Sequence, residues 1–333
     1  MNKFSKTIAA FIAGLIFLGC NNKKETGAYD DIVTHQPFSV LTDSIKNDPK
    51  NEELWFRRAV LLNKNNFPEP ALADFRKAWS LKKDERFAFG VSNIMMNRNP
   101  DSAIIFLQSA LKDLPNSFLL QLSLARVYDA KGLLHDAMQV CDAILKKNPE
   151  QVDVLKMKAD LLDKSDDPAG AIILLEKAYQ LTPFDIDLNY SLAFKYAESK
   201  NAKVVALCDS LIKVDTLDLH AEPYYYKGIY FSNINDKPKA LALFDAAIQR
   251  NYQYLNAYIE KGSILYDQKR FTDALKVFQL ANTISPKFPD AWYWMGRCME
   301  AMGDKDAARA NYERAIGLDP NFMEANEALE GLK

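Results

Sequence analysis

The chain has 333 residues, of which 48% are hydrophobic and 26% are charged, a composition with enough apolar material to cover a long core. Lysine and arginine number 42 against 44 acidic residues, so the net charge is near −2. Without residues 1–20, which carry two lysines and no acid, the balance is 40 against 44, or −4. Nucleic-acid binding calls for clustered Lys and Arg, so this composition argues against nucleic acid as a partner.

The first twenty residues have the pattern of an export signal. Lys3 and Lys6 precede an apolar run over residues 8–18, which ends at Gly19 and Cys20. The run is too short to cross a bilayer, which takes about 20 apolar residues. It instead predicts a signal peptide over residues 1–19. Two interpretations stay open, a plain secretory signal and a bacterial lipoprotein signal, which the cysteine at the end of the run resembles.

The lipoprotein resemblance implies that Cys20 becomes the first residue after cleavage and carries a diacylglyceryl thioether, usually with a further acyl chain. Two or three chains, at about 0.8 kcal/mol for each buried methylene, would hold the protein on a membrane. Residues 20–36 are then the lipidated cysteine and a flexible polar tether. Asn21 follows the cysteine. By the same resemblance, it implies a lipid-anchored protein of the bacterial cell envelope, in the outer membrane and facing the periplasm.

Small residues recur at intervals close to 34 residues along the rest of the chain. Each precedes a bulky residue four positions on, and they are Ala71, Ala103, Ala137, Ala171, Val204, Ala240, Ala274 and Ala308. The same interval separates the prolines Pro115, Pro149 and Pro183, and the prolines Pro286 and Pro320. Such a period is typical of stacked helix pairs, none of which can bury its apolar face alone.

The last repeat shows the pattern best. Its landmarks are Trp292, Met295, Gly296, Met299, Ala308, Tyr312, Ala315 and Pro320. This resembles the tetratricopeptide repeat (TPR), in which W-x2-L-G-x2-Y is followed by A-x3-F-x2-A and then P. The resemblance implies an all-α fold, a right-handed TPR solenoid of about eight helix-turn-helix units. Glycines that allow two helices to approach closely repeat in the last three units, at Gly228, Gly262 and Gly296.

The predicted units lie at 52–83, 84–117, 118–151, 152–185, 186–220, 221–254, 255–288 and 289–322. A partial repeat over residues 37–51 precedes them and a capping helix over residues 323–333 follows. We divide the array into units one to four (52–185) and units five to eight (186–322), because unit five is irregular. Its Val204 and Cys208 fit a second helix only if the turn is one residue short, and surplus residues follow near Leu219 and His220. This marks either a boundary between sub-arrays or a tolerated loop.

Catalytic motifs are absent from the sequence, which has no phosphate-binding loop, no zinc-hydrolase motif and no nucleophile elbow. The three histidines, His35, His135 and His220, are scattered. Beyond Cys20, the cysteines fall at packing positions and are expected to be buried thiols rather than disulfides: Cys141, Cys208 and Cys298. We therefore predict no enzyme, no catalytic or metal-binding residue, no cofactor and no small-molecule substrate.

The TPR resemblance assigns a concave groove to the first helix of every unit, at its second, fifth, ninth and twelfth positions. In units five to eight these positions predict a site for a protein or peptide partner at Tyr190, Phe194, Tyr225, Ile229, Ile259, Tyr266, Tyr293 and Arg297. In units one to four they predict Phe56, Val60, Ser92, Met95, Leu122, Arg126, Lys156 and Asp160. Aromatic residues and arginine concentrate binding energy at interfaces. Rings at the fifth position also pack between helices, and that alternative stays open.

Two functions follow from this pattern. The chain is a membrane-anchored scaffold that binds a partner segment in the groove. Alternatively, it is a structural subunit of an outer-membrane assembly or secretion complex that acts through its outer surface. An open apolar groove favours the first function, and exposed apolar patches on the opposite face favour the second.

Overall fold

The computed structural model describes residues 29–215, 217 and 219–332, and the elements in this part of the chain are nineteen α-helices. The chain forms two compact units, Met1–Ser123 and Leu124–Lys333, and their boundary falls within α7 (Phe118–Ala130). The predicted signal peptide over residues 1–19 and the predicted lipidation site Cys20 lie outside the described residues.

The first unit begins with two short helices, α1 (Asp30–Val33) and α2 (Ser39–Asn47). Two helix pairs follow, α3 (Glu52–Lys64) with α4 (Pro68–Leu81) and α5 (Glu85–Met96) with α6 (Pro100–Asp113). α2 packs against α3, and α4 packs against α5. Each pair therefore covers the apolar face of its neighbour.

The second unit contains α8 (Leu134–Lys147), five helix pairs and a final helix, α19 (Met323–Gly331). The pairs are α9 (Val152–Lys164) with α10 (Pro168–Leu181), α11 (Ile186–Glu198) with α12 (Lys203–Val214), α13 (Glu222–Asn233) with α14 (Lys237–Arg250), α15 (Leu255–Asp267) with α16 (Phe271–Ile284), and α17 (Pro289–Ala301) with α18 (Lys305–Leu318). The second helix of each pair packs against the first helix of the next. The predicted all-α repeat fold is confirmed.

The turn inside a pair has the same backbone form in most repeats. The residue two positions after the first helix has a positive φ, for example +62° at Asn66, +60° at Lys269 and +89° at Gly303. The next amide then donates back into the helix, as from Arg270 N to Leu265 O at 2.9 Å. This left-handed helix end satisfies carbonyls that would otherwise lack a partner.

The glycines predicted to let helices approach closely do so. A Cβ atom added to Gly296 would lie 2.6 Å from the ring of Tyr312, which is buried on α18. Gly228 meets Phe244 and Gly262 meets Phe278 in the same way. The aromatic residue four positions after each repeat alanine therefore fills the space that the glycine leaves.

The N-terminal segment differs from the predicted tether. Residues 29–36 were expected to be flexible, yet Val33 is buried and its carbonyl accepts a hydrogen bond from Thr42 Oγ1 at 2.6 Å. Arg58 Nη1 donates to the same hydroxyl at 2.9 Å, and its guanidinium holds the buried Asp74 carboxylate at 2.7 and 2.8 Å. The polar sequence of this segment did not predict the contact, because the contact depends on one apolar residue and on a buried ion pair.

The predicted boundary at 185/186 is not a boundary in the structure. One apolar cluster runs through it from Leu155 to Ile264 and includes Leu188 and Leu192 of α11. The irregularity of unit five is confined to a shorter second helix, Lys203–Val214, and a longer connection before Glu222. The alternative of a tolerated loop is therefore the correct one.

The described residues contain no helix long and apolar enough to span a bilayer.

Candidate partner-binding surface

The eight predicted partner-binding residues lie on the first helices of the last four repeats, α11, α13, α15 and α17, which we call the first-helix surface. Six of them are half-buried, namely Tyr190, Phe194, Ile229, Ile259, Tyr266 and Arg297. The other two, Tyr225 and Tyr293, are more deeply buried, each only 8% exposed. Their rings turn towards the second helix of their own repeat, with Tyr225 5.9 Å from Phe244 and Tyr293 5.9 Å from Tyr312.

Four tyrosines meet on this surface, one on α11, two on α13 and one directly before α15, and we call them the tyrosine cluster: Tyr190, Tyr225, Tyr226 and Tyr254. Their ring centroids are separated by 6.0 Å between Tyr190 and Tyr226, 5.7 Å between Tyr226 and Tyr225, and 5.2 Å between Tyr225 and Tyr254. The neighbouring rings meet edge to face at interplanar angles of 61–66°, an arrangement that aromatic pairs prefer. Phe194 extends the row at 5.9 Å from Tyr226.

The hydroxyls of the tyrosine cluster have no hydrogen-bond partner within the described part of the chain. The side-chain atoms there that are both buried and unbonded are the amide oxygens of Asn189, Asn282 and Asn311, so the four hydroxyls open to solvent. Tyrosines with a packing role behave differently, since Tyr196 donates to Glu176 and Tyr312 to Glu300, both at 2.6 Å. The tyrosine cluster therefore presents unused hydrogen-bonding groups at the rim of an aromatic surface.

Acidic side chains surround the tyrosine cluster. Burial raises the pKa of Tyr226 to about 12, and the nearby Glu222 carboxylate adds to the shift. Burial likewise raises the pKa of Tyr225, with contributions from Glu260 and Glu198. The rings thus remain neutral phenols at physiological pH, and the charges of Glu222, Glu260 and Glu198 act on them.

Glu260 is the unusual member of this acidic group. Burial raises the pKa of its carboxyl group, and Lys237 only partly opposes the shift. Among residues 29–215 and 219–332, its carboxylate has neither an ion pair nor a hydrogen-bond partner. A half-buried carboxylate without a partner costs stability and is a common mark of a functional site.

A second group of predicted residues comes together one repeat further along, and we call it the arginine cluster: Tyr266, Tyr293 and Arg297. Arg297 donates from Nη1 to Tyr293 Oη at 2.9 Å and from Nη2 to Tyr266 Oη at 3.4 Å. Its guanidinium lies 5.5 Å from the centroid of Tyr266 and 5.9 Å from that of Tyr293. The two rings orient a guanidinium that has no carboxylate partner in the described part of the chain.

The sequence analysis did not predict a role for the sixth position of the first helix in each repeat. It carries Tyr226 in α13, Glu260 in α15 and Trp294 in α17. Trp294 stacks on Phe278 of the preceding repeat at 5.5 Å, which shows that this position lies between repeats. The three consecutive tyrosines at 224–226 were the one available signal for it.

The first unit has its own apolar cavity, of about 400 Å³. It is lined by Phe56, Val60, Asn63, Lys64, Phe75, Arg86, Phe89, Gly90, Asn93 and Leu119. Phe56 and Val60 were predicted to face a ligand, but Ser92 and Met95 of the second repeat are buried. In this repeat the cavity is lined by Phe89 and Asn93 of α5 instead.

Within the described residues, no group of three or more His, Cys, Asp and Glu side chains could hold a metal ion. Cys141, Cys208 and Cys298 are free thiols and fully buried. Burial raises the pKa of Cys141 to about 11 and the pKa of Cys208 and Cys298 to about 12. These thiols are protonated at neutral pH, which makes them poor nucleophiles.

Comparison with known families decides the classification. Two family models described as tetratricopeptide repeats match the chain, one over residues 95–161 and 265–330 and the other over residues 227–289, together about half of its length. The chain belongs to the tetratricopeptide repeat family. TPR arrays are protein-interaction scaffolds, so this TPR protein is built to bind proteins.

Individual relatives share only part of their length with this TPR protein. The general transcriptional corepressor trfA of Dictyostelium discoideum is 28% identical over 109 residues, 33% of this chain and 8% of trfA. The protein O-mannosyl-transferase TMTC1 of Homo sapiens is 26% identical over 167 residues, 49% of this chain and 19% of TMTC1. A solved TPR protein from Parabacteroides merdae ATCC 43184 superposes with a TM-score of 0.53 at 12% identity, covering 84% of this chain and 98% of its own. That likeness shows a shared fold.

Proposed function

We propose that this TPR protein is a non-catalytic scaffold that binds a segment of a protein partner on its first-helix surface, across the tyrosine cluster. The observation that carries the proposal is the set of hydroxyls without a hydrogen bond on the half-buried rings of Tyr190, Tyr226 and Tyr254 and on the buried ring of Tyr225. Tyrosine offers a large apolar face and one polar group at little cost in side-chain entropy, which suits it to interfaces. A partner segment would take up these hydroxyls and cover the rings.

A membrane anchor is part of the same proposal. It rests on the sequence pattern at residues 1–20, where Cys20 follows a short apolar run. The scaffold would then be a lipid-anchored protein of the bacterial envelope, held at the periplasmic face of the outer membrane. Partner capture would thereby occur close to a membrane surface.

One observation favours the second candidate function, a structural subunit of an envelope assembly. An apolar patch lies at the edge of the fifth repeat, where Phe184 is 95% exposed, Leu217 75% and Val214 71%. Exposed apolar residues that cluster in this way mark interaction sites. The patch lies beside the irregular connection before α13 and provides a contact that does not use the tyrosine cluster.

Tyr→Phe substitutions in the tyrosine cluster distinguish a role in partner binding from a role in packing, because they remove the hydroxyl group and keep the ring. We expect the combined change of Tyr190, Tyr225, Tyr226 and Tyr254 to Phe to alter the free energy of unfolding by less than about 0.5 kcal/mol per site, because no hydrogen bond is lost. Partner binding should weaken markedly. The matched control Tyr312→Phe removes a hydroxyl bonded to Glu300 and should cost about 1 kcal/mol of stability with no effect on binding.

Site-specific photo-crosslinking in cells identifies the partner for this test. A crosslinker at Ile229 reports on the first-helix surface, and one at Leu217 reports on the exposed patch. Crosslinks from Ile229 that disappear in the four-fold Tyr→Phe variant support the proposal. Crosslinks from Leu217 alone, unaffected by that variant, reject it in favour of the structural subunit.

A further inference from the structure

We infer that the tyrosine cluster, together with Glu222 and Glu260, binds a lysine or arginine side chain of the partner segment, an inference that rests on the proposed function. The partner class is thus narrowed from any protein segment to one that carries a basic residue among apolar ones. Three properties of the surface lead to this assignment: aromatic rings over which no cation lies, an unpaired carboxylate, and neighbouring apolar contacts.

The aromatic faces here are free of cations, unlike rings elsewhere in the same unit. Arg250 lies 3.9 Å above the ring of Tyr224, and Lys239 lies 3.7 Å above that of Phe231. No Lys or Arg of the described residues lies over a ring of the tyrosine cluster. Cation–π attraction at such rings is strongest where water is excluded, and half-buried rings meet that condition.

The carboxylates supply the charge that a bound cation needs. Lys195, the basic residue nearest to Glu198, is already engaged, donating to Asp163 at 2.8 Å and to Glu198 at 3.2 Å. Lys237 donates to the backbone and hydroxyl oxygens of Ser232 at 3.3 and 3.2 Å. Glu260 is left without a counterion among the described residues, so an incoming cation would be the first to neutralise it.

The position of Glu260 strengthens the inference. The equivalent residue is Tyr226 in the preceding repeat and Trp294 in the following one, and both pack aromatic rings against neighbours. An aromatic ring at residue 260 would continue the apolar contact between repeats. A carboxylate gives up that packing, which is consistent with a role in recognition rather than in folding.

The surroundings explain why the cation belongs to a protein segment. Phe194 and Ile229 are half-buried beside the tyrosine cluster. Phe194 lies 5.9 Å from Tyr226, and Ile229 packs against the same apolar cluster as Tyr190 and Tyr226. A lysine or arginine stem is itself apolar and packs along such a surface while its charged end reaches the carboxylates. An extended segment with apolar residues around one basic residue therefore fits the chemistry of the whole surface.

A displayed library of random dodecapeptides, selected on the immobilised full chain, tests the inference. We expect Lys and Arg to be enriched at least about tenfold over Gln at one position of the peptides that are recovered. Glu260→Gln should abolish this preference. Glu313→Gln, which removes the same charge from an exposed position on α18, should leave it intact.

The outcomes distinguish the inference from the proposed function. Peptides that require the tyrosine cluster, as judged by loss of binding to the Tyr226→Leu variant, yet show no basic preference would overturn the inference alone. A selection that yields no peptide dependent on Tyr226 would overturn the proposed function and the inference together. If Lys and Arg are still enriched in peptides selected on Glu260→Gln, the net negative charge of the chain explains the preference. That result would also overturn the inference. Thermal melts of each variant confirm that the protein remains folded.

Discussion

The role of a tyrosine in this protein depends on whether its hydroxyl group has a hydrogen-bond partner. The hydroxyl groups of Tyr196 and Tyr312 are hydrogen-bonded, and both rings pack in the core. The hydroxyl groups of Tyr190 and Tyr226 have no hydrogen-bond partner in the described residues. A bonded hydroxyl contributes about 1 kcal/mol to folding, and an unbonded one contributes almost nothing. The unbonded hydroxyls therefore add little to folding and are available for the proposed contact with a partner.

Glu260 provides a residue-scale prediction that links stability to pH. Burial raises the pKa of its carboxyl group in the folded state, so ionisation is penalised by folding at neutral pH. The penalty is full above the folded pKa and absent below the unfolded value of about 4.5. We expect Glu260→Gln to be more stable than the wild type at pH 7, with a difference that vanishes at pH 4 and below.

Urea denaturation at the two pH values checks this expectation, with Glu313→Gln as the control that should change little. The charge of Lys237 lowers the pKa of Glu260, and the charge of Glu260 in turn raises the pKa of Tyr225. A loss of stability in Glu260→Gln at pH 7 would show that the ionised carboxylate has a stabilising partner. The residue would then have a structural role instead.

At the scale of elements, the repeats are held in register by recurring local devices. The left-handed turn closes most helix pairs, and the glycine–aromatic contact fixes the crossing of the last three. Ion pairs between a lysine on a first helix and an aspartate on the preceding second helix also recur, as Lys158–Asp142, Lys227–Asp209 and Lys261–Asp245. These pairs are partly exposed, so they contribute less to stability than the buried contacts do.

The turn at Lys269 gives an element-scale prediction. Its φ of +60° is unfavourable for a residue with a side chain, and the equivalent positions in two other repeats are Gly132 and Gly303. We expect Lys269→Gly to raise the free energy of unfolding by about 0.5–1 kcal/mol. Lys276→Gly, inside α16, should instead lower it by about 1 kcal/mol. Equal losses at both sites would show that the turn is not strained.

At the scale of the whole molecule, stability in each unit depends on contacts between neighbouring repeats. In such an array a local defect weakens the nearest repeats first. Gly296 is suited to test this, because a Cβ there would lie 2.6 Å from Tyr312. Gly317 on α18 is a matched control, since nothing lies within 4 Å of a Cβ added at that position.

We expect Gly296→Leu to cost about 1–3 kcal/mol through overpacking. Amide hydrogen exchange should show a loss of protection in α17 and α18 before α9 and α10 are affected. Gly317→Leu should leave the exchange pattern unchanged. Uniform loss over residues 124–333 in Gly296→Leu would mean that this unit unfolds as one cooperative block.

The membrane anchor is a prediction at the same scale. If Cys20 is acylated, Cys20→Ser should move the protein from the membrane fraction to the soluble periplasm, because two or three acyl chains supply the binding free energy. Cell fractionation measures the shift, and Cys298→Ser is a control that should not change it. An unchanged distribution for Cys20→Ser would contradict the lipoprotein hypothesis.

The repeat architecture of this protein can be predicted from its amino-acid sequence alone. The 34-residue period of the small residues, the prolines and the crossing glycines is local information, and each repeat needs only its neighbours to form. For that reason the helix pairs and the glycine–aromatic contacts were predictable. The free, buried state of Cys141, Cys208 and Cys298 also agrees with what their packing positions suggested.

Only the tertiary structure decided which side chains are available to a partner. Tyr225 and Tyr226 are adjacent in sequence, yet Tyr225 turns towards the second helix of its own repeat and Tyr226 reaches the preceding repeat. The same holds for Val33, which packs in a segment whose polar composition predicted a tether. The direction of a side chain depends on contacts between elements far apart in sequence, and a periodic pattern within one repeat does not contain that information.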